Sequence, residues 1–331
     1  MTQLNNDNRL ELVGLDGGNP LGFLAALGTL RTLSHAWPQF DLRMSWSDRG
    51  AQRPVIHANT SLNPAIVSEC LVDSLARMRG HRAFAFADDL EISPDDFRLF
   101  AGEAVTTASA RDRAWADFAA AFACEATLGE KNGKPVVQDT DFRTMSGSGH
   151  QHFLSFLRNI VNRTEAQHIY KALFEPWRYD DPVENQTMRW DPVDDQRYAL
   201  RWRNPSGDPL RKQRGTMLGA NRLAIESLPL FPTAPQQKEL RTTGFRGTTS
   251  RDCVWTWPIW EHEASLDVVR SLLSLWQLQM LDERPTADEV KRSNRTKQIR
   301  EELRALGVVA VFRSRRLTLG KFRNFTPAHA L

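Results

Sequence analysis

Apolar and polar positions alternate over residues 9–15 (RLELVGL) with the period of a short strand, and again over 41–47 and 53–57. Asp48-Arg49-Gly50 between the last two segments predicts a hairpin turn. Upstream, Asp16-Gly17-Gly18-Asn19-Pro20 reads as a turn that starts a helix, with Asn19 as N-cap and Pro20 in the first helical position. Apolar residues then recur at Leu21, Leu24, Ala25, Leu27 and Leu30. Gly22 and Gly28 thin that helix's surface enough to admit close packing. The periodicity predicts long helices near 62–79 and 94–125, the second with Trp115, Phe118 and Phe122 on one face.

Residues 129–149 carry GEKNGKP and MSGSG and read as a junction, with a short strand at about 135–142. Helices are expected at about 150–161, 164–174 and 216–228, the last stopped by Pro229. Residues 253–257 look extended, 266–280 helical, and 286–306 form a charged helix ended by Gly307. The following VVAVFRSRRLTL suggests a strand or hairpin. Regular βαβ spacing is absent, so the expected class is α+β. Three parts are expected: an α+β N-terminal domain (1–128), a glycine-rich junction (129–149), and a mostly helical C-terminal domain with short strands and a basic end (150–331).

The 331 residues suffice for two ordinary domains or one large one. An apolar fraction of 41% and a charged fraction of 25% are those of a soluble globular protein. No apolar run approaches the roughly 20 residues that cross a bilayer, and the N-terminus lacks the basic-then-apolar pattern of a secretion signal. Three scattered cysteines (Cys70, Cys124, Cys253) form no CxxC pair, which suits a reducing cytoplasm. The expectation is a cytoplasmic protein without membrane association.

Net charge is only +3, but its distribution is uneven. From residue 284 to 331, twelve Lys/Arg face four acids, an excess of eight over an otherwise mildly acidic chain. A segregated basic end is a footprint for a polyanion, although a solvated helix face is common. Lys291 and Arg295 fall along one side of the charged helix, with Arg292 beside them and Lys297, Arg300 and Arg304 on another. Glu301 and Glu302 can pair locally with these cations. Beyond Gly307, Arg313, Arg315 and Arg316 bracket a strand end; Arg313 and Arg315, sharing a face, would project together toward phosphates. A second candidate is 188–232, where Arg189, Arg197, Arg201, Arg203, Arg211, Lys212 and Arg214 interleave with Trp190, Tyr198 and Trp202. Guanidinium groups pair with phosphates and aromatic faces stack on unpaired bases. Asp191, Asp194, Asp195 and Asp208 offset much of that charge, so an internally paired hairpin is the competing reading. Arg143 beside the MSGSG loop and Arg246 in the Gly/Thr-rich 242–250 loop complete the candidate phosphate contacts. Trp255 and Trp257 share a strand face, a pattern commoner in cores than in stacking platforms.

Catalytic motifs are weak by comparison. The 14–19 turn lacks GK[ST] and GxGxxG, so a capped turn is favoured over a phosphate loop. His150, His152 and His168 have no metal-ligand spacing. Asp139, Asp141, Asp180, Asp181, Asp191, Asp194 and Asp195 supply the carboxylates for a metal-dependent nuclease. The pairs Asp181-Pro182, Asp191-Pro192 and Asp208-Pro209, however, read as turn chemistry. No GxSxG is present. No metal or cofactor is expected, and no catalytic residue is assigned.

Four long strings carry a resemblance: LVGLDGGNPLGFLAALGTLRTL, RWDPVDDQRYALRW followed by NPS, GANRLAIESLPLFP, and VWTWPIWEHEASLDVVRSLL. They are spread from residue 12 to 273, and they resemble proteins encoded in type I CRISPR loci of the G (formerly U) subtype. The similar role is that of a large-subunit-like component of the RNA-guided surveillance (Cascade) complex in antiviral defence. The resemblance implies a non-catalytic subunit that contacts crRNA and target DNA, helps read the flanking motif, and sits beside other effector subunits. It would also help to recruit a helicase–nuclease. Large subunits of this class are often longer, which leaves open a shortened form or an accessory subunit. Two alternatives stand beside it: a metal-dependent nuclease using the Asp-rich 180–195 segment, and a protein-docking subunit that never touches nucleic acid.

Overall fold

The fold was obtained as a computed structural model, which describes residues 8–109, 112–145, 152–181, 187–194, 216–236, 239–247, 252–281, 289–319 and 322–331. The class is α+β, as the patterning predicts, with antiparallel sheets and helices packed around them.

The expected hairpin forms. Strands β2 (Arg43–Asp48) and β3 (Gln52–His57) pair antiparallel, and β1 (Arg9–Glu11) adds to β3. Helix α1 (Pro20–Ala36) follows the turn, and the Asn19 side chain accepts hydrogen bonds from the amides of Leu21 and Gly22. Pro20 through Leu33 are all buried, because α1 has neighbours on every side. Its closest is α8 (Leu218–Ser227), another helix buried throughout. A Cβ at Gly28 would sit 1.7 Å from the Leu223 carbonyl oxygen, so the contact requires glycine.

Between them in sequence come α2 (Pro64–Ala76), α3 (Arg82–Ala85), α4 (Pro94–Thr107) and α5 (Ala114–Phe122). The helix expected over 94–125 is therefore two helices that stop at Phe122. The chain turns extended there because Ala123 onward pairs with a partner strand, and ladder hydrogen bonds override alanine's helical preference. That hairpin is β4 (Ala123–Lys131) with β5 (Lys134–Asp139), turned through Asn132 and Gly133 at positive φ. Helices α6 (Phe153–Arg163) and α7 (Ala166–Phe174) follow, close to expectation.

The C-terminal part contains more strand than its sequence suggested. Strands β6 (Thr233–Gln236) and β7 (Glu239–Thr242) form a hairpin, and β8 (Phe245–Arg246) leads to β9 (Val254–Trp260). After β10 (Ala264–Ser265), helices α9 (Leu266–Leu273), α10 (Trp276–Met280) and α11 (Glu289–Ala305) precede the long β11 (Val308–Leu319). Strand β11 pairs with β9, with β12 (Phe322–Phe325) and with β13 (His329–Ala330).

Every residue of β9 is buried, and its tryptophans join the two sheets. The indole of Trp257 donates to the Gly17 carbonyl (2.8 Å) and that of Trp260 to the Met44 carbonyl (2.7 Å). Phe23 of α1 lies against Trp46, Trp255 and Trp257. Contacts also run across the 129–149 segment. Strand β10 supplies the outer strand of the first sheet beside β2, and one contiguous apolar cluster runs from Leu12 to Phe325. Among the described residues no helix is long and apolar enough to cross a membrane.

Candidate nucleic-acid interface

Helix α11 is held by two side chains one turn apart, Ile299 and Leu303, both buried. At 100° per residue, Lys297, Arg300 and Arg304 fall within about 60° of each other, roughly 115° around the helix from that pair. All three are exposed, as is Arg295 on another flank. Among the described residues none of the four makes an ion pair. Glu302, which the sequence offered as a partner, accepts instead from Gln277 (3.3 Å) and Gln298 (3.0 Å). Gly307, at φ +80°, ends the helix and directs the chain into β11. Lys291 and Arg292 belong to the first turn, and their side chains lie outside the described residues.

The arginines of β11 are placed differently from expectation. Arg313 points inward and is 1% exposed. Its Nε donates to Thr256 Oγ1 (2.9 Å) and its Nη2 to the carbonyls of Leu281 (2.7 Å) and Leu278 (3.4 Å). Strand parity puts Arg313 and Arg315 on one face, but at position 313 that face is covered by α10. Arg315 is half-buried. Arg316, on the other face, donates to the Asp141 carbonyl (2.7 Å) and pairs with its carboxylate (3.3 Å).

Arg143 is likewise interior, ion-paired with Asp89, Glu91 and Asp139. Burial alone would lower its pKa, but the charges of Asp139 and Asp89 outweigh that and raise it. Arg323, one of the twelve cations of the basic end, lies 3.5 Å from the Arg143 carbonyl. Burial, and then the neighbouring Arg316, lower its pKa. Arg246 is exposed, with Nη1 donating to the Gln279 carbonyl (2.6 Å). Arg201, Arg203, Arg211, Lys212 and Arg214 lie outside the described residues, as do Tyr198 and Trp202. Trp190 is a core residue that donates to the Phe142 carbonyl.

The aspartates of the nuclease alternative are engaged in local structure. Asp191 is buried and accepts from Tyr179 Oη (2.9 Å), the Val193 amide (3.0 Å) and Asn19 Nδ2 (3.3 Å). Its pKa is raised by burial. Asp181 accepts from the Leu218 amide (2.7 Å) at the start of α8. Asp180 is 3.7 Å from the Lys171 ammonium. Asp195 and the Asp194 side chain lie outside the described residues. Among the described residues no three His, Cys, Asp or Glu side chains converge in a way that could hold a metal. Burial pushes the Cys253 thiol up to about 11, which keeps it protonated.

One polar chain had no signal in the sequence. On the outer face of the first sheet, Ser45 Oγ lies 2.9 Å from His57 Nε2, and His57 Nδ1 lies 3.3 Å from Glu263. Ser45 and His57 lie on neighbouring strands 12 residues apart, and Glu263, just before β10, is more than 200 residues further on, so only the register reveals them. Ser45 sits in mid-strand, opposite Val55 of β3. The chain therefore reads as a cross-strand tie, because the exposed turn of a nucleophile is missing.

In comparisons with family models, curated proteins and solved structures, nothing matches this chain.

Proposed function

We propose that this chain is a nucleic-acid-binding, non-catalytic subunit of a type I CRISPR RNA-guided DNA surveillance complex, acting in the cytoplasm. The observation that carries the binding reading is the Lys297, Arg300 and Arg304 stripe, three exposed cations without a carboxylate partner among the described residues. Three like charges at i, i+3 and i+7 repel one another, an arrangement that polyphosphate relieves. The complex-subunit reading rests on the four strings quoted above. In this reading crRNA or target DNA is the ligand, base pairing supplies sequence specificity, and α11 supplies backbone affinity near the flanking motif. Other effector subunits, and a helicase–nuclease recruited to the assembly, are its partners.

The test is fluorescence anisotropy of labelled DNA and RNA across a salt series. The variant Lys297→Glu/Arg300→Glu/Arg304→Glu is expected to bind at least tenfold more weakly. Its log K versus log salt slope is expected to be shallower by about 2 to 3, at about 0.7 to 0.9 per lost phosphate contact. Unchanged binding in a variant with an unchanged melting temperature refutes the role of α11. Expression with its neighbouring genes is expected to bring crRNA and further subunits through purification, and a lone RNA-free protein at low salt refutes the complex.

A further inference from the structure

Helix α10 (Trp276–Met280) has five residues and is held on three sides. Gln277 reaches Glu302 on α11. Leu278 is buried, and Arg313 binds the carbonyls of Leu278 and Leu281. Gln279 donates to the Gly244 carbonyl (2.8 Å), while its own carbonyl accepts from Arg246. Helical geometry sets the remaining positions, 276 and 280, within about 40° of each other and opposite Leu278. They form an outward ridge between α11 and the 244–246 segment, with Trp276 56% and Met280 37% exposed.

This placement is unusual within the protein. The other described tryptophans are buried or half-buried, and their indoles line the core. Trp276 alone among them is exposed, on a helix too short to be stable without the three anchors. Both flanks of the ridge carry cations. Arg246 is exposed on one side. On the other, Arg295 shares the Glu302 stripe of α11, seven residues away, and is exposed without an ion pair among the described residues. A flat aromatic face between guanidinium groups suits unpaired bases, whose rings stack while their phosphates pair with the cations.

We propose that the Trp276–Met280 ridge is a stacking platform for single-stranded nucleic acid, with Arg246 and Arg295 receiving the backbone. The proposal rests on the nucleic-acid reading above and narrows it to unpaired bases. The full-length protein is titrated with three labelled probes: oligo(dT), a DNA duplex, and heparin, which has charge but no bases. Trp276→Ala is expected to weaken oligo(dT) binding about tenfold, with duplex and heparin affinities and the melting temperature unchanged. Trp276→Phe is expected to restore most of the loss, and oligo(dT) is expected to quench wild-type tryptophan emission. Equal oligo(dT) affinity in wild type and Trp276→Ala overturns the platform, as does an equal loss for heparin. Loss of a co-purifying subunit with oligo(dT) affinity intact also overturns it, in favour of a protein-docking face. If the wild type binds none of the three probes, it is the nucleic-acid reading itself that fails.

Discussion

At Gly28 the smallest side-chain change has a large effect, because α1 and α8 meet backbone to backbone there. Gly28→Ala must push the helices apart, and the expected destabilisation is about 3 kcal/mol or more. Gly102, exposed in mid-α4 with open space around its Cβ position, is the control. Gly102→Ala is expected to stabilise by about 0.5–1 kcal/mol through helix propensity. Denaturant midpoints of the two variants should move in opposite directions, and a matching shift refutes the close-packing account. Gly28 was legible in the sequence because a glycine inside a strong apolar repeat has few other uses. Arg313 was not legible. Alternation says which residues share a face, but burial of that face depends on α10, which arrives from 32 or more residues away. The same gap hid the Ser45–His57–Glu263 chain.

Among the elements, β11 and α11 divide the basic end between them. Strand β11 is paired along most of its length, so its arginines are drawn into the fold, whereas the described side chains of α11 are buried along one narrow stripe and mostly exposed elsewhere. Arg313→Ala is therefore expected to lower stability by about 3 kcal/mol, leaving carbonyls of α10 and Thr256 without their donor. Its binding defect should scale with loss of α10. The check pairs a chemical melt with Trp276 emission, which should change together. A binding defect at full stability would instead restore Arg313 as a phosphate contact. Element types were largely readable because periods of 2 and 3.6 survive in short windows. The break after Phe122 was not, since the β4–β5 pairing that ends α5 is a tertiary preference absent from the local composition.

For the whole molecule, charge regulation and cooperativity are the measurable consequences. Burial holds the pKa values of His35, His57 and His81 below the usual imidazole value. The unfolded chain thus takes up protons near pH 6.5 while the folded chain resists, and stability falls as pH drops from about 7.5 toward 5.5. The raised carboxyls of Asp141 and Asp191 act in the opposite sense, since they bind protons more readily when folded. Melting temperatures of wild type and a His57→Gln/His81→Gln variant across this range separate the two. The variant's curve should be flatter on the acid side, and parallel curves would exclude His57 and His81 as the cause. Composition at the glycine-rich 129–149 segment marks where chain is loose and says nothing of which surfaces meet. A single core predicts that residues 1–145, expressed alone, give no cooperative melt.

The pairing of β10 with β2 also sets a schedule for synthesis. The first sheet has three of its strands once His57 has been made, but its fourth begins at Ala264, about 200 residues later. At roughly 5–20 residues per second, translation leaves the open edge of β2 waiting for about 10 to 40 seconds. The partner face of α1 waits through most of the same interval for α8. A nascent chain with an unpaired edge strand and a bare apolar helix is a substrate for chaperones, and slow translation would lengthen that exposure.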